Sequence, residues 1–360
     1  MVLIAVLFFI VLLVSGVATF LRRATLDGMI ALNRDLSSRS EALARGGVQL
    51  ATALLLQDRL DEQLALPLEE REDEEGEPPR QQRGNPEANE FRSETRGDLW
   101  ARIGEVEIAV PDGGRLRLRI EDAGSRLNLN GLLDEEGKVP ESAKIFLTAF
   151  LDKVIGEMPV REEEKNYDTG DLAQNLLDYI DENSFEESGG EPEDDYYQLQ
   201  SPPYRAANRP LLSIDELGLV EGFDRALVDA IRPYATVYPY LGGGINPNTA
   251  PSHVLAALYH GTAGDERLAS QEEVERILEM REGGEILCDP TAAHAEAEDL
   301  ACTPIGESGL GPGFFPPLTY TADVFQVSAE ASYGEVRRTV EAVIDRSDAT
   351  QPLVLSWRLR

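Results

Sequence analysis

Histidine and cysteine are scarce in this sequence, which has three His and two Cys among 360 residues. None of the histidines lies in a nucleophile motif, and G-x-S-x-G, H-E-x-x-H and phosphate-loop signatures are missing. Hydrolases, metalloproteases and nucleotide-binding enzymes depend on such groups. The remaining catalytic interpretation takes Asp178, Asp181 and the Asp194–Tyr197 run as paired carboxylates. The sequence therefore predicts a protein that is not an enzyme.

Basic residues are half as numerous as acidic ones, with 33 Lys and Arg against 66 Asp and Glu and a formal net charge of −33. Such a charge repels nucleic acid and anionic membrane surfaces over long range. Residues 245–258 (INPNTAPSHVLAAL) resemble a helix-hairpin-helix segment of DNA-binding proteins, but few basic residues surround them. We therefore interpret this segment as two helices joined by a tight turn, with no nucleic-acid partner.

No ionisable side chain precedes Arg22, and residues 1–21 form one apolar run. About twenty apolar residues make a helix of roughly 30 Å, which matches a bilayer core. A signal peptide would need a basic start and a small-residue cleavage site, and residues 18–20 are a poor one. In an ordinary anchor, Arg22 and Arg23 would hold the body in the cytoplasm. The third interpretation is a specialised segment whose short basic leader preceded Met1.

The two cysteines, Cys288 and Cys302, lie 14 positions apart in a loop-like stretch. A zinc site would need more ligands, and only His294 lies between them. In an oxidising compartment they would form a disulfide worth about 3 kcal/mol, and in a reducing one they would be free thiols. A disulfide would place the body outside the cytoplasm.

Residues 22–66 continue the N-terminal helix, because apolar side chains recur at spacings of three, four and seven. We expect the second half of this helix to pack against its own domain through that stripe. The stripe comprises Leu26, Met29, Leu36, Leu43, Leu50 and Leu54. Residues 67–98 break the pattern with seven acids between Glu69 and Glu77, followed by Pro and Gly, and predict a solvated loop.

Alternating apolar and polar residues predict strands on both sides of a helical region. The helical region contains a predicted capping box at Ser213 and Glu216 and a predicted N-cap at Thr249. The predicted strands are 104–110, 115–121, 322–332, 335–345 and 353–359. The predicted helices are 141–158, 171–182, 213–219, 223–232, 250–260 and 270–282.

Strands at both ends of the chain can share one sheet only if the helical region between them is an insertion. We therefore expect an α+β fold, in which the long N-terminal helix packs on a small antiparallel sheet. The sheet domain would comprise 99–130 and 316–360, and the inserted, all-helical domain would comprise 131–315.

Several segments resemble the K pseudopilins of type II secretion systems, in the same order and over nearly the whole chain. The matching segments are Ile120–Asp122, Arg126–Asn130, Asp194–Tyr197, Pro202–Asn208, Ser213–Leu217 and Ile245–Pro251. This resemblance implies a pilin-like fold and a structural role as a minor pseudopilin. The leader that is missing before the apolar run fits this family, because prepilins carry a short basic leader that a prepilin peptidase removes.

The resemblance also implies partners and a location. K pseudopilins cap the tip of the periplasmic pseudopilus with the I and J pseudopilins and help to initiate its assembly for protein export. Further implied partners are the H and major pseudopilins and the inner-membrane L component. The implied location is the inner membrane, crossed once, with the C-terminal body in the periplasm. A minor pilin of a type IV pilus is the alternative, since it shares the anchor and the fold.

The apolar run lacks the glutamate that most pilins carry at the fifth mature position. If Met1 is the first mature residue, the fifth is Ala5. A carboxylate in lipid is costly unless it is paired, and in a fibre the partner would be the N-terminus of a neighbouring subunit. A subunit at the tip has no neighbour above it, and the K family is similar in lacking this acid.

Residues 181–195 contain eight acids and two glycines. The residues alone leave two interpretations open, a solvated acidic loop or a calcium site, because the EF-hand spacing is missing. The resemblance implies structural calcium in this part of the helical domain. The candidate ligands are Asp181, Asn183, Glu187, Glu193, Asp194 and Asp195.

Overall fold

The computed structural model describes residues 2–64, 93–134, 137–159, 165–182, 194–240, 242–262, 264–289, 302–348 and 351–360. The helices are α1 (Val2–Leu64), α2 (Leu99–Arg102), α3 (Glu141–Glu157), α4 (Thr169–Ile180), α5 (Asp194–Gln198), α6 (Arg225–Ile231), α7 (Ser252–Leu255) and α8 (Gln271–Glu282). The strands are β1 (Glu107–Ala109), β2 (Gly114–Asp122), β3 (Leu127–Asn128), β4 (Ala235–Thr236), β5 (Tyr259–His260), β6 (Arg267–Leu268), β7 (Leu287–Cys288), β8 (Thr303–Pro304), β9 (Phe314–Phe315), β10 (Val324–Tyr333), β11 (Val336–Asp345) and β12 (Leu353–Leu359).

The chain divides into two compact units. Unit 1 comprises Met1–Asp58, Leu99–Ile120 and Gln326–Arg360, and unit 2 comprises Arg59–Asp98 and Glu121–Phe325. The predicted insertion at 131–315 lies inside unit 2. Unit 2 extends beyond that prediction by about ten residues at each end.

Unit 1 contains a five-stranded sheet in the order β1-β2-β10-β11-β12. The outer pairs are antiparallel, with Ile108 opposite Leu116 and Ala342 opposite Trp357. A turn at Gly334, whose φ of 60° suits glycine, joins β10 to β11. Strict alternation of buried and exposed side chains along β2 shows that one face of this sheet is covered.

Helix α1 packs on the sheet mainly through small side chains, with Leu55 as its fully buried leucine among the described residues. A Cβ atom on Gly47 would lie 2.8 Å from Leu116 Cδ1 and 2.9 Å from Leu118 Cδ2, so the helix backbone packs directly against these side chains. The second half of the helix packs on its domain as predicted, but the leucine stripe lies at the margin of the buried face: Leu36, Leu43 and Leu54 are half-buried, whereas Met29 and Leu50 are exposed. The buried face consists of Ser40, Ala44, Gly47, Val48, Ala51 and Leu55.

Unit 2 is built around helices α3 and α4 and an aromatic core. The Phe146 ring packs edge-on against Tyr259 and Phe315, with centroids 5.9 and 5.6 Å apart. Short strand pairs join the helices: β3 with β4, β5 between β6 and β9, and β7 with β8. The predicted fold class is confirmed, with a long N-terminal helix, a small antiparallel sheet and a helical insertion. The short strands were not predicted, because two residues show no periodicity.

Two predicted helices of unit 2 take other forms. The segment predicted as a helix at 250–260 forms only α7 and then turns into strand β5. Residues Ile214–Leu219 form a 3-10 helix, in which Ser213 Oγ accepts a hydrogen bond from the backbone N of Asp215. Glu216 accepts from the backbone N of Leu212 at 3.2 Å instead of closing the predicted capping box.

Candidate assembly surfaces

The N-terminal part of α1 exposes its apolar side chains. Large hydrophobic residues between Leu3 and Leu21 are mostly exposed, although they are helical throughout. Helix α1 is long and apolar enough to cross a membrane, and none of the apolar window is buried against the protein. The first acidic residue of the chain is Asp27. The geometry therefore suits a helix whose surroundings are lipid or other helices.

A buried carboxylate, Asp122, organises the start of unit 2. It accepts hydrogen bonds from the backbone N of Gly124 at 2.6 Å, from Asn246 Nδ2 at 3.0 Å and from Thr249 Oγ1 at 2.8 Å. The prediction that Thr249 caps a helix is wrong, since α7 begins after Pro251 and the threonine hydroxyl binds Asp122.

Two asparagines attach residues 121–130 to the rest of unit 2. Asn128 Nδ2 donates to the carbonyls of Pro239 and Gly242, both at 2.7 Å. Asn130 accepts from the backbone N of Leu211 at 2.7 Å and donates to Val237 O at 2.8 Å. These contacts explain why the boundary of unit 2 precedes the predicted boundary at residue 131. A buried asparagine binds backbone groups of distant segments, so the sequence alone does not show its partners.

The structure joins Cys288 and Cys302 by a disulfide, with an S–S distance of 2.09 Å and a Cα–Cα distance of 5.9 Å. Strands β7 and β8 pair in parallel beside it, with Leu287 opposite Thr303. Asn248 holds this strand pair in unit 2, because its side chain exchanges two hydrogen bonds with the backbone of Leu287, at 2.8 and 2.9 Å.

The candidate calcium ligands lie at both ends of a segment whose centre is outside the described residues. Asp181 ends helix α4 and is buried. Asp194 accepts from the backbone N of Ala206 at 3.1 Å, and Asp195 is exposed. Within the part of the chain that the structure describes, no group of three or more His, Cys, Asp or Glu side chains could hold a metal ion. The other candidates, Asn183, Glu187 and Glu193, fall among the residues that are not described.

Asp178 was also named in the catalytic interpretation. It is buried in α4 and accepts a hydrogen bond from Gln174 Nε2 at 2.7 Å. This contact accounts for a polar side chain in the helix core.

A cluster of polar side chains around the buried His260 lies beside α8, and the sequence did not indicate it. We call it the histidine cluster. His260 Nδ1 accepts from the backbone N of Gly311 at 2.9 Å, and its Nε2 lies 3.6 Å from Glu273 Oε2. Arg267 donates two hydrogen bonds to Glu273, at 2.7 and 2.8 Å, and lowers the pKa of Glu273 to about 2. Burial lowers the pKa of His260. Glu273 also closes a capping box with Ser270 at the start of α8, so the cluster stabilises the fold.

Comparison with known proteins finds similarity to one family. A family profile described as type II secretion system (T2SS), protein K, matches residues 125–240. The type II secretion system protein K of Pseudomonas aeruginosa is 29% identical over 252 residues, which are 69% of this chain and 66% of that protein. The protein K of Aeromonas hydrophila is 26% identical over 271 residues, 72% of this chain and 74% of that protein. The protein K of Klebsiella pneumoniae is 33% identical over 44% of this chain and 48% of that protein.

The chain is similar to type II secretion system protein K, by the profile over residues 125–240 and by two relatives over about 70% of its length. The profile region contains both asparagines that anchor unit 2, the α3–α4 pair and the predicted calcium segment.

The fold of a protein K is also found in a solved complex. A chain of the crystal structure of the GspK-GspI-GspJ complex from the enterotoxigenic Escherichia coli Type 2 Secretion System matches with a TM-score of 0.52. The match covers 91% of this chain and 99% of that chain at 19% sequence identity. It therefore supports the same pilin-like fold with a helical insertion.

Proposed function

We propose that this protein is a minor pseudopilin that caps the tip of a periplasmic pseudopilus together with the I and J pseudopilins and helps to initiate its assembly. The observation that carries the proposal is the fold match over 91% of the chain to a chain of a GspK-GspI-GspJ complex, together with the protein K profile match over residues 125–240. The alternative, a minor pilin of a type IV pilus, has less support, because the named relatives are type II secretion proteins.

The location in this proposal is the inner membrane, with the body in the periplasm. Helix α1 supplies a membrane-spanning segment by its length and its exposed apolar side chains. The disulfide between Cys288 and Cys302 supports an oxidising compartment for unit 2. During assembly the anchor would leave the membrane and enter the fibre, and the missing acid in the apolar run fits a subunit with no neighbour above it. The H and major pseudopilins, the L component and the prepilin peptidase complete the set of proposed partners.

Calcium binding at 181–195 belongs to the same proposal. The donor set fits the ion in chemical type, because Ca²⁺ takes six to eight oxygen ligands from carboxylates and amide oxygens. Asp181 and Asp194 supply carboxylates at the two ends of the segment, and Asn183, Glu187, Glu193 and Asp195 are the remaining candidates. The bound ion would neutralise carboxylates that otherwise repel one another, which is a structural role.

Co-purification with the I and J pseudopilins of the same secretion system tests the proposal. The full chain is extracted in detergent micelles, captured by a tag and probed for both partners. We expect one complex that contains all three chains, whereas the major pseudopilin alone should be retained weakly. A chain that stays alone while I and J bind each other would contradict the proposed function.

A further inference from the structure

Strand β12 leaves an apolar surface uncovered on the face of the unit 1 sheet that packs against α1. Residues that lie opposite one another in antiparallel strands place their side chains on the same face. Leu359, Trp357 and Val354 lie opposite Val340, Ala342 and Ile344. The three β11 residues are buried, whereas Leu359, Trp357 and Val354 are 44%, 43% and 54% exposed. We call Val354, Trp357 and Leu359 the β12 ledge.

Helix α1 is too narrow to cover this ledge. At Gly47 the helix backbone packs directly against Leu116 and Leu118 of β2 and Ala329 of β10. Strands are about 4.8 Å apart, so β12 lies roughly 10 Å beyond β10. A helix with its side chains is about 10 Å across and covers about two strands. Among the described residues of unit 1, α1 is the one long helix, and it leaves the β12 end of the layer open.

The dimensions of the opening fit a second helix. Packed helices lie about 8–10 Å apart, so a helix beside α1 would lie over β12. Val354 and Leu359 are about 16 Å apart along the strand, which is about three helical turns. An added strand would extend the sheet at its edge but would leave the face of the ledge exposed.

The charges around the β12 ledge indicate which kind of helix would bind there. Unit 1 contains 14 basic and 12 acidic residues, whereas the rest of the chain has a net charge of −35. The guanidinium of Arg45 lies over the Trp357 ring, 6.0 Å from its centroid, and half of this side chain is exposed. Arg45 also pairs with Glu41 at 2.6 Å. A cation at the border of an apolar ledge favours an apolar helix that carries an acidic side chain at its margin.

We propose that the β12 ledge is the docking site for an amphipathic helix of a partner pseudopilin, which lies beside α1 and completes the helical layer on the unit 1 sheet. The proposal rests on the proposed function and names the surface that it would use. The I or J pseudopilin would supply that helix.

Two neighbouring residues provide a matched test. Val354 belongs to the ledge, and Leu353, which is 53% exposed, lies opposite Asp345 on the other face of the same strand. Affinity for the I and J pseudopilins is measured with the full chain in detergent micelles. Because a carboxylate in an apolar interface is costly, Val354→Glu should weaken binding about tenfold or more. Leu353→Glu should change it by less than about twofold, and both variants should keep the wild-type Tm, since both sites are exposed.

The other outcomes overturn the proposal in distinguishable ways. If both variants bind like the wild type, the ledge is not an interface. If both weaken binding equally, the edge of β12 is used instead, as in strand addition. If the wild type fails to bind I and J at all, the proposed function itself is contradicted.

A crosslinking experiment identifies the occupant directly. A photoreactive phenylalanine replaces Trp357 in the assembled complex, and the crosslinked peptide is sequenced. A peptide from a helix of the I or J pseudopilin supports the proposal. A peptide from a strand, or from a second copy of this chain, overturns it.

Discussion

Arg346 and Asp58 form an ion pair that connects the end of β11 to α1 within unit 1. Arg346 Nη1 donates to Asp58 Oδ2 at 2.7 Å and to the backbone O of Leu55 at 3.0 Å, and the arginine is fully buried. A buried guanidinium is costly to desolvate unless its hydrogen bonds are satisfied. The pair therefore fixes where the C-terminal half of α1 lies on the strands.

Replacing Arg346 with Met should destabilise unit 1 by about 3 kcal/mol, because it removes a buried donor from the carboxylate and the carbonyl together. The matched control is Arg337→Met, which breaks an exposed pair with Glu330 at 3.4 Å and should cost less than about 0.5 kcal/mol. Thermal unfolding of the full chain in detergent micelles, followed by circular dichroism, measures both. Equal losses in Tm for the two variants would refute the prediction.

Adjacent glycines in α1 should respond in opposite directions to the same substitution. Gly46 has open space around its Cα, so Gly46→Leu should stabilise the helix by about 0.8 kcal/mol. At Gly47 the added Cβ would lie 2.8–3.0 Å from Leu116, Leu118 and Ala329. Gly47→Leu should therefore destabilise by about 2 kcal/mol or more, since overpacking outweighs helix propensity. Urea unfolding midpoints decide the sign, and a stabilised Gly47→Leu variant would contradict the packing described for α1.

The contrast at these glycines shows how far the sequence predicts the fold. The apolar run and the strand periodicity predicted α1, β2, β10, β11 and β12 closely, because long elements have many side chains in one pattern. The buried face of α1 was not predicted. Leucine spacing indicated one stripe, but the close approach at Gly47 places small residues against the sheet.

Unit 2 was predicted less well, because long-range contacts of polar side chains decide its structure. Asn130 binds the backbone of Leu211 and Val237, about 80 and 107 positions away along the chain. His260 and Glu273 lie in separate elements and meet only through tertiary packing. Local periodicity does not report contacts of this kind, so neither the unit 2 boundary nor the histidine cluster was predictable from one sequence.

Acidification should destabilise unit 2 through His260. Burial lowers the pKa of His260 below its usual 6.5, so the unfolded chain binds the proton more readily than the folded one. The neutral histidine thus contributes stability that is fully present above pH 6.5 and is lost as the pH falls through the folded-state pKa. Glu273, whose pKa is about 2 because of Arg267, loses its contribution only between about pH 4.5 and pH 2.

The histidine contribution can be separated by measuring Tm between pH 7.5 and pH 5 for the wild type and for His260→Gln. We expect the wild-type Tm to fall over this range and the variant to show a smaller fall from a lower starting value, because glutamine does not titrate. His253→Gln, a change at a half-buried position outside this cluster, is the comparison variant and should retain the fall in Tm that His260 causes. If the change of Tm with pH were the same in His260→Gln as in the wild type, the pH dependence could not be attributed to His260.

Calcium should raise the Tm of unit 2 if the acidic segment between α4 and α5 binds it. A ligand that binds only the folded state stabilises by RT ln(1 + [L]/Kd), which is about 2.7 kcal/mol at a hundredfold excess over Kd. Adding a chelator to the purified chain should therefore lower the Tm by several degrees, and calcium, but not an equal concentration of magnesium, should restore it.

Asp194→Asn should reduce the calcium-dependent shift in Tm, because it removes one proposed charged ligand. The control Asp229→Asn changes an exposed carboxylate in α6 that pairs with Arg225 and with Arg232 at the end of that helix, and it should retain the full shift. A chelator that leaves the wild-type Tm unchanged would count against a structural calcium ion, and an equal loss in both variants would point to general charge repulsion across the acidic surface.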